Sequence, residues 1–379
     1  MTQIVKFGQD ALDSLDILLK ESNPKSILVV TGKTSFLKCG AKNKLEPILK
    51  NYNYTRFFDF EENPKIEDVE KGVDIFNKNK CDFIIAVGGG SAIDIGKLIN
   101  FFNKKTKPYE NVFKTRLTEK DKFTFVAIPT TAGAGSEATH FAVVYANKLK
   151  YSIADHNLLP DMALIDHSFL KSQSKHQMVV SGLDAFCQGI ESYWSVNSDE
   201  ESLIYSTKAI SLSWRNLRKC IEGVDVSDKL SKAAYFAGKA INITKTTGPH
   251  ALSYGFTTNY GIPHGHAVAL FLPFFINFHK NIDRESVSDI RGHAFVLAKM
   301  KSIAEILSID YDNMESEIIK LLTELGIQIN FRKLKINDTD FLSTLKGINQ
   351  DRLKNNPRFL VDKDLMDIYT FNTNLDYMD

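Results

Sequence analysis

Asp82-Phe83-Ile84-Ile85-Ala86-Val87 runs directly into Gly88-Gly89-Gly90-Ser91, then Ala92-Ile93-Asp94-Ile95-Gly96-Lys97. DFIIAV is short, apolar and β-branched, which predicts a buried strand. The glycines end it, and a helix is expected over Ala92–Asn103. Strand, glycine turn and helix N-terminus together can hold an anion. Glycine lets the backbone approach phosphate oxygens, and the first helical N–H groups face the charge. Asp94 and Lys97 follow one and nearly two turns into that helix. A tight turn with no ligand is the competing reading of GGGS, which is neither a G-x-G-x-x-G nor a Walker sequence.

The same grammar repeats on either side. Ser26–Thr31, Tyr54–Phe60 and Phe123–Ile128 read as further strands. Helical spacing runs through Leu45–Leu49 and over Ile66–Asn79, where Val69, Val73 and Phe76 share a face. Alternating strands and helices predict an α/β domain, a parallel sheet with helices on both faces. After Phe123–Ile128 a second loop, Pro129 to Glu137, offers Thr130, Thr131 and Ser136 among small residues. It suits a nucleotide pressed on backbone, and ligands of open α/β sheets bind at such strand ends. A solvent loop capped by Ser136 is the alternative. The strand Ser26–Thr31 ends in Thr31-Gly32-Lys33, with no carboxylate to accept from a ribose 2′-hydroxyl. NADPH is therefore expected to be accepted as well as NADH, with Lys33 or Ser35 able to pair with the 2′-phosphate.

Near Ser174–Ser181 the strand signals stop. Thr207–Arg218, Asp228–Ile243, His264–Phe278, Phe295–Leu307 and Met314–Leu325 all read as helices. Two domains are expected, an α/β domain over 1–178 and an all-α domain over 179–379, which suits 379 residues. With no Gly/Ser- or Pro-rich linker, the two should pack directly and leave a cleft. The helical half holds Asp184 and Gln188, four apart on one helix face. It also holds His250, after a breaker-rich TKTTGP, and His264 in IPHGH. A carboxylate with two imidazoles suits Zn²⁺ or Fe²⁺ and leaves positions for substrate and water. Any one of these histidines alone would read as a hydrogen-bonded structural residue.

Acids and bases nearly cancel, 46 against 47, so no net field favours nucleic acid or a membrane surface. The richest apolar run, Ala267–Phe275, is about half the length of a membrane span. The N-terminus lacks a long apolar segment. The four cysteines form no C-x-x-C pair, and reduced thiols in a cytoplasmic protein are expected.

GGGSAIDIGK, IPTTAGAGSEAT, LLPDMALID, SGLDAFCQGIES and HALSYGFTTNYGIPHGHA occur in that order. Together they resemble the iron-containing (group III) alcohol dehydrogenases, over nearly the whole chain down to NNPRFLVDKDLMDIY. That resemblance implies a dinucleotide-binding α/β domain and a helical metal domain. It also implies NAD(P)H and a divalent metal as cofactors, and a homo-oligomer, a dimer. By the resemblance, Gly88, Gly89, Gly90 and Ser91 form the pyrophosphate loop, with Asp94 and Lys97 in their usual places. Thr130, Thr131 and Ser136 contact the nucleotide, and Lys150 lies near the nicotinamide. Asp184, His250 and His264 match metal ligands. Gln188, expected to add little to metal affinity or to act as a weak fourth metal ligand, stands where the family has a ligand histidine, and Tyr254 where it has another histidine. Members preferring NAD often carry Asp at the position of Gly32. KTTGPHALSY and ESYWSVNS resemble the phosphonoacetaldehyde reductase branch, which makes 2-hydroxyethylphosphonate. The expected substrate is thus a small anionic aldehyde, with Lys245, Thr246 and Thr247 able to meet the phosphonate.

In the implied scheme the ion polarises the carbonyl and the nicotinamide supplies hydride. Tyr254, His266 or a water chain is expected to relay the proton. Competing readings are another branch acting on a diol or plain alcohol, a lyase of the dehydroquinate synthase kind, and a metal-free binding module.

Overall fold

The computed structural model describes residues 3–104, 122–146, 149–345, 348 and 350–375. The chain divides into two compact units, Met1–Ser174 and Lys175–Asp379.

The first unit holds strands β1 (Ile4–Phe7), β2 (Ile27–Thr31), β3 (Tyr54–Phe57), β4 (Phe83–Gly88), β5 (Thr124–Pro129), β6 (Phe141–Ala146), β7 (Leu149–Ala154) and β8 (Met162–Ile165). Six of them form one parallel sheet in the order β1-β8-β5-β4-β2-β3. Every residue of β2 and β4 is buried, which is why their sequences are continuously apolar.

Side chains of β2 and β4 alternate between two cores. Ile27, Val29, Phe83, Ile85 and Val87 face one layer, with helices α1 (Asp13–Ser22), α2 (Ser35–Lys38) and α3 (Ala41–Leu49). Leu28, Val30, Ile84 and Ala86 face the other, with α4 (Ile66–Lys78) and α5 (Gly90–Phe102). Helices therefore cover both faces, as the sequence predicts. The reading missed β1, β8 and the antiparallel β6–β7 hairpin. β1 is an edge strand with no buried residue, and β8 is only four residues long.

Among its described residues the second unit is helical. Helices α6 (Lys175–Trp194), α7 (Glu200–Ile221) and α8 (Ser227–Thr244) pack against one another. Then come α9 (Gly248–Tyr260), α10 (His264–Ala269) and α11 (Leu272–Lys280). The single helix expected over His264–Phe278 is in fact two. Pro273 lies in the first turn of α11 and has no N–H to give the Ala269 carbonyl, so the helix restarts there. Further helices span His293–Leu307, Met314–Glu324, Asp338–Leu345, Gln350–Leu353 and Asp362–Thr373.

Candidate active site

In the sheet, β2 connects outward to β3, and the chain then crosses back to β4 on the other side of β2. The carboxyl ends of β2 and β4 flank this reversal, the place where open α/β sheets take ligands. Gly32 follows one strand; Gly88 closes the other, and Gly89 and Gly90 come after it. A Cβ on Gly88 would lie 2.6 Å from the Ala92 Cβ, and one on Gly89 3.3 Å from Thr131. Gly89 caps α5 in extended conformation and carries no side chain that could occupy its leading N–H groups. The Thr130 N–H donates to the Gly88 carbonyl at 2.9 Å, which ties the second loop to the first. These are the properties of a cradle for a diphosphate.

Ser91 is partly buried at the head of α5, its hydroxyl 3.4 Å from the Asn63 N–H. Asp94 accepts from the Ser136 hydroxyl at 2.5 Å and the Val143 N–H at 3.0 Å. Lys97 is fully buried, and its ammonium donates to the Thr139 hydroxyl at 3.0 Å and the Phe141 carbonyl at 2.8 Å. Burial lowers its pKa to about 8 despite Asp94 and Glu137 nearby. It fastens the segment after the second loop. Lys150 lies on β7 opposite Tyr145; its side chain is outside the described residues.

Arg56 on β3 was missed by sequence reading. It donates to the Gly32 carbonyl at 2.9 Å and the Lys33 carbonyl at 3.1 Å, and lies over the Phe36 and Phe58 rings. A cation thus stands at the end of β2 beside Lys33, with no local sequence signal to reveal it.

The second unit gathers Asp184, His250 and His264. One donor atom from each lies within 4.8 Å of the others. Asp184 sits in buried α6. His250 is on the first turn of α9, after Gly248-Pro249 start the helix, and His264 opens α10. His250 Nε2 is 3.2 Å and His264 Nε2 3.9 Å from Asp184 Oδ1. Burial opposes charge on Asp184, yet its hydrogen bond to His250 and the nearby His264 hold its carboxyl below the usual range. His264 keeps 37% of its side chain exposed, so the trio is open on that side.

Glu191, which sequence reading also missed, is fully buried behind His250. Its Oε1 lies 2.5 Å from His250 Nδ1, and its Oε2 accepts from the Thr247 N–H at 2.5 Å and the Thr247 hydroxyl at 3.0 Å. A carboxylate on Nδ1 fixes the imidazole tautomer and turns Nε2 toward the trio, the usual support of a metal-binding histidine. The signal was present: Asp184, Gln188 and Glu191 recur at i, i+4 and i+7 on α6. A carboxylate and two imidazoles, one backed by a second carboxylate, fit a divalent ion by chemistry and spacing. The amide of Gln188 is buried and donates to Asp184 Oδ1 at 3.1 Å.

Tyr254, one turn after His250, stacks on the His264 ring at 5.7 Å with an interplanar angle of 7°. His266, also expected as a proton relay, is on the same helix as His264. It lies about 200° round α10 from His264, and its Nε2 is 2.6 Å from the Gln328 carbonyl. Lys245 is exposed on a left-handed residue ending α8, whereas Thr246 and Thr247 are fully buried. The Thr247 hydroxyl is taken by Glu191 and by the Trp194 indole N–H at 2.8 Å, so it holds structure.

A parallel sheet with a glycine cradle, and a helical unit with a carboxylate–imidazole trio, define a two-part dehydrogenase. Residues 2–167 match the family model described as iron-containing alcohol dehydrogenase, and 178–373 the family's C-terminal model. The chain belongs to the iron-containing alcohol dehydrogenase family. It is 29% identical to long-chain-alcohol dehydrogenase 1 of Geobacillus thermodenitrificans, over 96% of this chain and 93% of that one. It is 28% identical to an NADPH-dependent butanol dehydrogenase of Clostridium saccharobutylicum, over 97% and 91%. The crystal structure of a sulfoacetaldehyde reductase from Bifidobacterium kashiwanohense in complex with NAD⁺ superposes with a TM-score of 0.86 at 25% identity, covering 99% and 98%. The chain is an enzyme, a nicotinamide-dependent alcohol dehydrogenase or aldehyde reductase of a family that uses a divalent metal. Among the described residues, no helix is long and apolar enough to cross a membrane.

Proposed function

We propose that this enzyme reduces a small aldehyde bearing an anionic group to its primary alcohol, with phosphonoacetaldehyde the first candidate. The observation that carries the reading is the Asp184, His250 and His264 trio, backed by Glu191. When bound there, a divalent ion supplies Lewis-acid polarisation of the carbonyl, and the nicotinamide supplies the hydride.

The chain's own residues do the rest. Asp184, His250 and His264 would hold the ion, and Glu191 keeps the His250 ring turned toward it. Gln188 holds the Asp184 carboxylate by its amide. Gly88, Gly89 and Gly90 would admit the diphosphate, with Thr130, Thr131 and Ser136 lining the second loop. Tyr254 is our choice for the proton path, because it lies on His264 and burial raises its phenol, which keeps its proton at neutral pH. The sulfoacetaldehyde reductase supports the substrate class, since its named substrate is an aldehyde with an anionic end. Four cysteines free of disulfides agree with a cytoplasmic enzyme.

Both nicotinamide cofactors are expected to serve. No carboxylate follows β2, and Arg56 and Lys33 place positive charge there. Gly32→Asp should lower kcat/KM with NADPH and spare NADH; strict NADH use by the wild type would contradict this. The substrate reading is tested by assaying phosphonoacetaldehyde, sulfoacetaldehyde and propionaldehyde with each cofactor. Equal use of propionaldehyde would leave only a general alcohol dehydrogenase.

A further inference from the structure

We propose that Arg352 recognises the anionic end of the substrate, a phosphonate or sulfonate, with Thr246 and Tyr254 as its setting. This rests on the reading of an anionic aldehyde given above. Arg352 comes from the short helix Gln350–Leu353, far from the trio in sequence, and no motif flags it. Its guanidinium hydrogen-bonds the Thr246 hydroxyl and lies 5.6 Å from the centre of the Tyr254 ring. That ring is the one stacked on His264. The path from metal centre to cation is therefore a single aromatic side chain.

The position is built. The Asn355 amide donates to the Thr246 carbonyl at 3.0 Å, and its own carbonyl accepts from the Val196 N–H at 3.1 Å. Asn197 donates to the Asn355 side-chain oxygen at 2.8 Å. Asn355 is buried. The segment carrying Arg352 is thus pinned to the turn that leads into His250, and the cation is held before any ligand arrives, which lowers the ordering cost of binding.

The chemistry suits the ligand. A planar guanidinium can donate two parallel hydrogen bonds to a phosphonate or sulfonate. Partial exposure leaves it reachable. Lys245, the cation that the sequence puts forward, is an exposed lysine on the turn itself, whereas Arg352 is anchored beside the stacked rings.

The test compares wild type, Arg352→Gln, Arg352→Lys and Lys245→Gln, each checked for metal content and melting temperature. Two quantities are read: kcat/KM for phosphonoacetaldehyde over propionaldehyde, and the calorimetric Kd of 2-hydroxyethylphosphonate. Arg352→Gln should cut the selectivity and weaken the phosphonate by about 10- to 100-fold, the worth of one charge-assisted hydrogen bond. Arg352→Lys should recover part of both, and Lys245→Gln should leave both in place. A selective wild type whose selectivity survives Arg352→Gln, or collapses only in Lys245→Gln, overturns the assignment. A wild type without selectivity overturns the substrate reading instead; Arg352 then stands or falls on whether Arg352→Gln weakens 2-hydroxyethylphosphonate.

Discussion

Glu191 decides which nitrogen His250 offers. Its carboxylate takes Nδ1 and leaves Nε2 facing Asp184. Glu191→Gln keeps the shape and removes the charge behind the ring. Metal affinity measured by calorimetry should fall by about 10- to 100-fold, as for other supporting partners of metal-bound histidines. An unchanged affinity would show that the trio orients itself. Much at this scale was legible. Asp184, His250 and His264 stand out as ligand types in motifs resembling a known family. Glu191 was legible in principle, from its helical spacing to Asp184. Arg352 and Arg56 were not. Each acts through a contact distant in sequence, Arg352 on Thr246 and Arg56 on Gly32, and side-chain periodicity carries no trace of such pairings.

At the scale of elements, one glycine sets the spacing of two ligands. A Cβ on Gly265 would drive into the Val180 carbonyl and come within 3.0 Å of the Asp184 N–H. Backbone cannot step aside, so α10 lies on α6 only because residue 265 has no side chain. Gly265→Ala should push α10 outward and separate His264 from Asp184. Overpacking of this kind costs about 1–3 kcal/mol. The melting temperature should drop, and metal stoichiometry should fall with it. Full stoichiometry at wild-type stability would contradict the close packing seen here. The sequence read His264 in IPHGH as a ligand histidine opening a helix, but the need for glycine belongs to a packing partner 85 positions earlier. The break between α10 and α11 is different: Pro273 was there to read, and the apolar run through Ala267–Phe275 masked it. The edge strand β1 escaped because its four residues include no buried one, and β6 because FAVVYA is apolar throughout, so its alternating burial leaves no period-two pattern in the sequence.

Across the molecule, balanced charge leaves stability to local groups, and Lys299 is one that should show in a pH profile. Burial lowers its pKa from 10.5 to about 7, with the Arg291 charge adding to the effect and Asp289 opposing it. It donates to the Ser195 carbonyl at 3.1 Å and also to the Ser198 hydroxyl. Between pH 7 and 10.5 the unfolded chain binds the proton more readily than the folded one, so this group makes stability rise with pH in that window. The slope it adds cannot exceed about 1.4 kcal/mol per pH unit. Denaturant unfolding at pH 7 and pH 9 should therefore show wild type gaining on Lys299→Met as pH rises. A constant difference between the two would mean that Lys299 keeps an ordinary pKa.

The central claim is that Asp184, His250 and His264 hold the divalent ion on which aldehyde reduction depends. Its most direct test strips the purified enzyme with a chelator, then adds Fe²⁺ or Zn²⁺ stepwise while nicotinamide oxidation and bound metal are measured together. Activity should be lost on stripping and return in proportion to metal, saturating at one ion per chain, with His264→Ala failing to recover. Full turnover by the metal-free enzyme, or by His264→Ala without bound metal, would contradict the account.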